Sequence, residues 1–304
     1  MDGSTYNLND PLSEAAGGLT PNLLGSPLAD HVYAWGAGQT VTVYGPQNDI
    51  LTIDWIESVH RYLYDSGLPV PALYERVKLP QGVGLVYEQV LGQTIADHLL
   101  HAPAITDDQA QRLARIFAQA HLRIHSQRYV PAVPVAPRKF APMIESQRVI
   151  PSCEREALLS RLMAMSRLPF LGGGLAGHRS RDYRACLCHG DFHMGNLILS
   201  ARGPVATDWM NCHLGDPLED VACTIVLLQG LVLEMPEPNE GPLRLFVDSY
   251  VEHYVELFGD KYAIAARLAR RRIDAWRPIV CAIRLSDNIP ALCPWLLDEI
   301  ERTL

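Results

Sequence analysis

Apolar residues fall at every second position over 31–35 (HVYAW) and 40–44 (TVTVY), which predicts two strands around Gly36-Ala37-Gly38-Gln39. A turn-rich connection, 24–30 (LGSPLAD), precedes them. The period then becomes helical. Ile53, Ile56, Val59, Tyr62 and Leu63 share one face, and Gly67-Leu68-Pro69-Val70-Pro71 ends that helix. Residues 73–77 and 84–90 predict two further strands joined by 78–82. After the break at Gly92 the pattern predicts helices over 94–100 and 107–126, the latter with Leu113, Ile116, Phe117, Ala120 and Ile124 on one face. More helices are predicted over 154–167, 221–233, 243–257 and 262–285. Three stretches predict irregular structure: the polar lead-in 1–18, the proline-rich 129–142, and the acidic, proline-rich 234–241. Residues 172–177 predict a flexible loop. One pair of strand-like runs, 197–199 and 205–207, interrupts the helical half and flanks Ala201-Arg202-Gly203-Pro204, the signature of a tight hairpin.

That hairpin collects the candidate chemistry. Closing it about Arg202 pairs position 196 with position 208, and paired Cα atoms in an antiparallel ladder lie about 4.5–5.5 Å apart. The amide of Asn196 and the carboxylate of Asp208 are then expected together at the open end, where the loop carrying Asp191 also arrives. An amide oxygen and carboxylates are hard donors that suit Mg²⁺ better than zinc or iron.

The ordered pieces His189-Gly190-Asp191-x-x-x-x-Asn196, Thr207-Asp208-Trp209 and Gly215-Asp216-Pro217-x-x-Asp220 resemble the active-site signature of the aminoglycoside phosphotransferase family, which includes choline-kinase-like enzymes. Protein kinases carry related parts. The resemblance implies an α+β, bilobal, protein-kinase-like fold, with an N-lobe over 19–91 and a helical C-lobe over 92–304. It implies ATP as phosphoryl donor, with GTP as an alternative, together with Mg²⁺ and a small-molecule hydroxyl acceptor. The acceptor would be an aminoglycoside-like antibiotic or a metabolite alcohol such as choline, a sugar or homoserine. By resemblance Asp191, with His189 beside it, would be catalytic, and Asn196 and Asp208 would hold the metal. Asp216 and Asp220 would brace the loop. Gly25, Ser26, Thr42, Glu57 and the hinge residues Glu88, Gln89 and Val90 would face the nucleotide. Trp276, Asp287 and Trp295 would contact the acceptor.

One slot departs from the family. The strand over 40–44 normally carries a phosphate-gripping Lys or Arg, and here Thr42 fills that place. The chain's three lysines are Lys78, Lys139 and Lys261, and Arg61 is the sole basic residue before Arg76. Either Mg²⁺ and backbone amides carry the phosphates alone, or a C-lobe arginine swings in, or turnover is weak or lost. The alternative function is therefore a kinase-like nucleotide- or ligand-binding protein of little activity.

Composition changes this picture little. With 304 residues the chain has room for two lobes, and 48% apolar with 20% charged residues is that of an ordinary soluble protein. A net charge of −8 gives no reason to expect nucleic-acid or membrane partners. No signal peptide and no membrane-length apolar run is evident. Seven cysteines without metal spacing predict reduced thiols in the cytoplasm. His121 and His125 stand four apart, but no third ligand is in sight, so they read as core or capping residues. The run Arg270-Arg271-Arg272 reads as a solvated face or as partners for the many acids.

Overall fold

Val41, Val43 and Val86 point to one side of an N-terminal sheet, and Tyr44, Leu73 and Leu85 pack on the other against Ile53 and Ile56. The computed structural model, which describes residues 31–45, 49–80, 82–100, 105–128, 130–167, 185–234 and 240–304, thus shows the two-sided burial that the period-two pattern requires. Strands β1 (His31–Ala34), β2 (Gln39–Tyr44), β3 (Leu73–Leu79) and β4 (Gly82–Glu88) form an antiparallel sheet in the order β1-β2-β4-β3. The connection expected over 78–82 is tighter than that, because Leu79 already pairs with Gly82. Helix α1 (Ile50–Asp65) is capped by the Asp49 side chain, which accepts from the amide of Leu51. It buries Ile53, Ile56, Val59 and Leu63, four of the apolar positions at helical spacing.

After Glu88 the chain leaves this sheet and joins another. Strand β5 (Gly92–Thr94) pairs with β7 (Leu197–Ser200), which pairs in turn with β8 (Gly203–Ala206). Helix α2 (Ile95–Leu100) follows, then α3 (Asp107–Ile124), opened by a capping box between Thr106 and Gln109. Helix α7 (Glu240–Tyr262) lies along α3, where Phe117 meets Phe246 and Tyr250. Helix α6 (Pro217–Glu234), apolar nearly all round, is the buried centre, with α8 (Ala266–Arg284) against it. A short two-stranded pairing of β6 (Cys186–Cys188) with β9 (His213–Gly215) enters this helical part.

The stretch expected to be irregular over 129–142 contains the start of a helix, α4 (Ala136–Ser146). Pro137 lies in its first turn, where a missing N–H costs nothing, and Pro142 is tolerated inside. Helix α5 (Ser152–Met165) is close to expectation, whereas α9 (Cys293–Thr303) forms where the pattern predicted no element. The single run expected over 262–285 begins at Ala266, because Ala263 takes a positive φ of 57° and separates α7 from α8. The lead-in 1–18, Gly25, Ser26, the loop 172–177 and most of the loop 234–241 lie outside the described residues. Among the described residues no helix is long and apolar enough to cross a membrane. The result is a mixed α+β architecture, a small antiparallel sheet followed by a larger helical part.

Candidate active site

Strand β6 delivers the chain into His189-Gly190-Asp191. Gly190 has φ +78°, and a Cβ there would sit 2.2 Å from the carbonyl oxygen of Asn211, so glycine alone fits. The amides of His189 and Gly190 both donate to the Asp220 carboxylate, at 2.6 and 2.8 Å. His121 Nε2 and His125 Nε2 donate to the same carboxylate, each at 3.1 Å. The hydroxyls of Tyr250 and Tyr254 face the Nδ1 atoms of these rings at 2.8 and 2.6 Å. Asp220 is thus the third polar group that the His121–His125 spacing lacked in the sequence. Every ring nitrogen of the pair has a hydrogen-bond partner, so the cluster is complete as a hydrogen-bonded bracket. Burial alone would raise the Asp220 carboxyl, but hydrogen bonds from His121 and then His125 outweigh it and hold it well below the usual range. Burial lowers His121 to about 4, which keeps it neutral.

His189 does not reach an open cleft. Its ring is fully buried, its Nε2 faces the Thr207 carbonyl at 2.9 Å, and it packs 4.6 Å from the Trp209 ring. Burial lowers it to about 4, so it is a neutral post between the Asp191 loop and the Asp208 segment rather than a proton carrier.

The hairpin closes one residue differently from expectation. Ser200 pairs with Gly203 and Leu197 with Ala206, so Asn196 lies opposite Thr207, whose amide donates to the Asn196 carbonyl at 3.0 Å. A one-residue slip would reverse the direction of Asp208. The left-handed backbone at Asp208, φ 59°, re-aims it instead. Asn196 Nδ2 donates to the Asp191 carbonyl at 3.0 Å, which leaves its amide oxygen available. Burial raises the half-buried Asp208 to about 7, and the charge of Asp191 adds to this. The Asn196 side chain is thus tied to the Asp191 backbone, and Asp208 lies near enough for the Asp191 charge to act on it.

The N-terminal sheet faces this loop. The Tyr44 hydroxyl lies 3.9 Å from Met210 Sδ, just after Asp208. Thr42 pairs with Leu85, and Leu85 with Arg76, so these three form one cross-strand row. Glu57 does not wait for a lysine: it holds Arg76 at 2.8 Å and Arg61 at 3.0 Å. In the hinge, Glu88 accepts from the Ala72 amide at 3.1 Å and pairs with Arg202 at 2.8 Å. The Gln89 amide donates to the Gly38 carbonyl at 2.9 Å, so its N–H is already paired.

On the opposite side, Trp276 is fully buried and donates to Asp216 Oδ2 at 2.9 Å, so it belongs to the core and not to a substrate surface. Asp216 also pairs with the buried Arg272 and caps α6 through the Leu218 amide at 3.0 Å. Arg272 is thus the buried member of the arginine run, a partner for an acid. Asp287 stays near the site, 2.7 Å from Arg284 Nε, and lines a cavity with Lys139, Gly190, Glu219 and Arg284. Trp295 borders a second cavity that also touches Arg284 and Asp287. Two residues beside Asp191 were missed. Arg284 Nη2 lies 3.1 Å from Asp191 Oδ1, and His193 Nε2 lies 3.9 Å from Asp191 Oδ2. His193 stands inside the recognised motif and could have been singled out there. Nothing in local spacing links the end of α8 to Asp191.

Residues 40–239 match the family model described as the phosphotransferase enzyme family. The chain belongs to this family. Solved structures agree at the level of fold. An ADP-bound aminoglycoside phosphotransferase, APH(2'')-Ib, superposes with a TM-score of 0.56 at 15% identity, over 91% of this chain and 92% of that one. A choline/ethanolamine kinase family protein from Mesorhizobium loti gives 0.52 at 14%, over 97% and 90%. Aminoglycoside phosphotransferase APH(3'')-Id from Streptomyces rimosus, in complex with ADP and streptomycin, gives 0.52 at 16%, over 83% and 89%. No curated protein matches the chain by sequence.

Proposed function

We propose that this phosphotransferase-family chain moves the γ-phosphoryl group of ATP, or of GTP, onto a hydroxyl of a small molecule. The observation that carries the reading is the convergence of Asp191, Asn196 and Asp208 on one braced loop, with Asp191 only 3% exposed. In the reaction the acceptor oxygen bonds to the γ-phosphorus while the bond to the ADP oxygen breaks. Asp191 orients the hydroxyl and takes its proton.

The donor set fits Mg²⁺. Asn196 turns its amide nitrogen to the Asp191 carbonyl and keeps its oxygen for a cation. Burial, and then the charge of Asp191, raise Asp208 to about 7, and a cation held between the two carboxylates would relieve both effects. When bound there, Mg²⁺ would neutralise nucleotide phosphate charge. The chain's own contribution is positional: the Asp220 bracket and the His189 post hold Asp191 in place, which is the larger part of catalysis in this chemistry. The nucleotide-bound relatives support a nucleotide in the cleft. Seven unpaired thiols support a cytoplasmic setting.

A second reading, weak turnover or binding alone, rests on Thr42 in the lysine slot. A panel of acceptor alcohols with radiolabelled ATP separates the two. Labelled product from any acceptor supports the transferase, and nucleotide binding without product across a broad panel supports the second reading.

A further inference from the structure

Three buried side-chain atoms without an aligned hydrogen-bond partner, Asp191 Oδ1, His193 Nε2 and Arg284 Nε, belong to three side chains that meet at the Asp191 carboxylate. Buried polar atoms are ordinarily satisfied, and a cluster of exceptions marks a place where a polar group is to be received. His193 is 1% exposed, and the Arg284 side chain is 12% exposed. His193 Nδ1 accepts from the Gly195 amide at 3.1 Å, so in the neutral ring the proton is on Nε2, the atom 3.9 Å from Asp191 Oδ2. Arg284 lies within ion-pair distance of Asp191 through Nη2, at 3.1 Å, and of Asp287 through Nε, at 2.7 Å, and the Nε hydrogen is not aligned with the Asp287 contact.

We propose that His193 and Arg284 form a preformed donor cradle for the equatorial oxygens of the phosphoryl group in flight. The proposal rests on the kinase reading above. An acceptor hydroxyl on Asp191 lies within hydrogen-bond reach of it, and the phosphorus approaches to about 3–3.5 Å of that oxygen. The equatorial oxygens then fall among groups that stand 3–4 Å from the Asp191 carboxylate, where these two side chains are. One donor stands beside each of the two oxygens of Asp191. They can bind a planar, spreading anion while the carboxylate keeps the hydroxyl, an arrangement complementary to the transition state and not to ATP itself. Arginine's fixed fork and permanent charge suit it to this task, and an arginine placed on a transferring phosphoryl group is worth about 10³–10⁵ in kcat.

The test needs no acceptor. Calorimetry measures Mg·ADP binding with and without aluminium fluoride, which mimics the planar phosphoryl group, and thermal melting checks the fold of each variant. The wild-type protein is expected to bind Mg·ADP more tightly when the fluoride is present. Arg284→Gln should lose about ten- to a hundredfold of that tightening while plain Mg·ADP affinity stays unchanged. If Arg284→Gln does not fold, the His193 pair decides. His193→Asn retains an acceptor for the Gly195 amide and loses the distal donor, whereas His193→Gln does the reverse. The cradle predicts that His193→Gln keeps more of the fluoride tightening than His193→Asn, and a purely capping role predicts the opposite order. Tightening equal in wild type and folded Arg284→Gln, the capping order in the His193 pair, or Mg·ADP binding that fluoride never tightens overturns the cradle alone. A wild-type protein that binds no Mg·ADP overturns the kinase reading and the cradle with it.

Discussion

Glu57 on α1 holds the guanidinium of Arg76 on β3 at 2.8 Å. The family resemblance leads one to expect a lysine from β2 in that position. Arg76 also reaches Asp54 at 2.6 Å, so the acidic face of α1 is already occupied by a cation two strands away from Thr42.

A lysine placed at position 42 therefore has to compete for Glu57. Thr42→Lys is expected to tighten Mg·ATP binding several-fold. Combining it with Arg76→Gln should bring the gain to about tenfold or more, since one charge-assisted contact to phosphate is worth roughly that. Calorimetry on the two variants and the Arg76→Gln control measures this. A double variant no tighter than Thr42→Lys alone would show that Arg76 does not withhold Glu57.

Asp191 and Asp208 should separate cleanly. Asp191→Asn is expected to leave Mg·ATP affinity intact and lower turnover by about 10²–10⁴, the usual worth of a positioned base. Asp208→Asn should weaken the metal-dependent nucleotide binding itself. Because burial raises Asp208 to about 7, protons compete for it below that value, and Mg²⁺-dependent ATP affinity should fall as pH drops from 8 to 6. Titrations showing pH-independent affinity, or unchanged Mg·ATP binding in Asp208→Asn, would remove Asp208 from the metal site.

Acid should unfold this protein through its buried imidazoles. Burial lowers His60, His121, His189 and His193 from the ordinary 6.5 to about 4, and lowers His125 as well. Below pH 6.5 the unfolded chain binds protons that the folded state refuses, so stability is fully present above 6.5 and is lost progressively toward 4. Each ring adds a slope of up to about 1.4 kcal/mol per pH unit in that window. Asp220, depressed below its ordinary 3.8, extends the loss to still lower pH. Urea midpoints that stay flat between pH 6.5 and 4.5 would contradict the buried neutral rings.

Gly190→Ala is expected to damage both stability and turnover, because its Cβ would meet backbone at 2.2 Å and neither loop can yield without moving Asp191. Strain of this kind costs about 1–3 kcal/mol. The check is a melting curve together with an assay. An alanine variant with wild-type melting and turnover would mean that the Asn211 carbonyl is not fixed where it lies.

Much of the fold and of the site is legible in the amino-acid sequence. The alternation at 40–44 and the helical spacing of Ile53 to Leu63 are local signals, and both elements form as expected. The Asp191–Asn196–Asp208 grouping is readable because eighteen residues or fewer and one hairpin connect its members. Contacts closed by distant helices leave no such trace. Arg284 reaches Asp191, and Trp276 turns inward to Asp216, through the packing of α8 on α6, which no spacing rule encodes. The register at Asn196 differs from expectation by one residue, because the hairpin turns on two residues, Ala201 and Arg202, and not about Arg202 alone, a choice that residue type does not announce. Pro137 and Pro142 mislead because proline reads as a breaker unless the first turn of a helix is already known.

The pairing of β5 with β7, and of Glu88 with Arg202 at 2.8 Å, ties the linker between the two parts of the molecule to the hairpin that follows Asn196. The linker and the hairpin thus share one frame, which β2 joins through its pairing with β4 and through the Gln89–Gly38 bond between linker and turn. In the proposed reaction, a tilt of the sheet about the linker would leave the spacing between the two ends of this frame unchanged, and with it the spacing between the linker end and the hairpin end of a bound nucleotide.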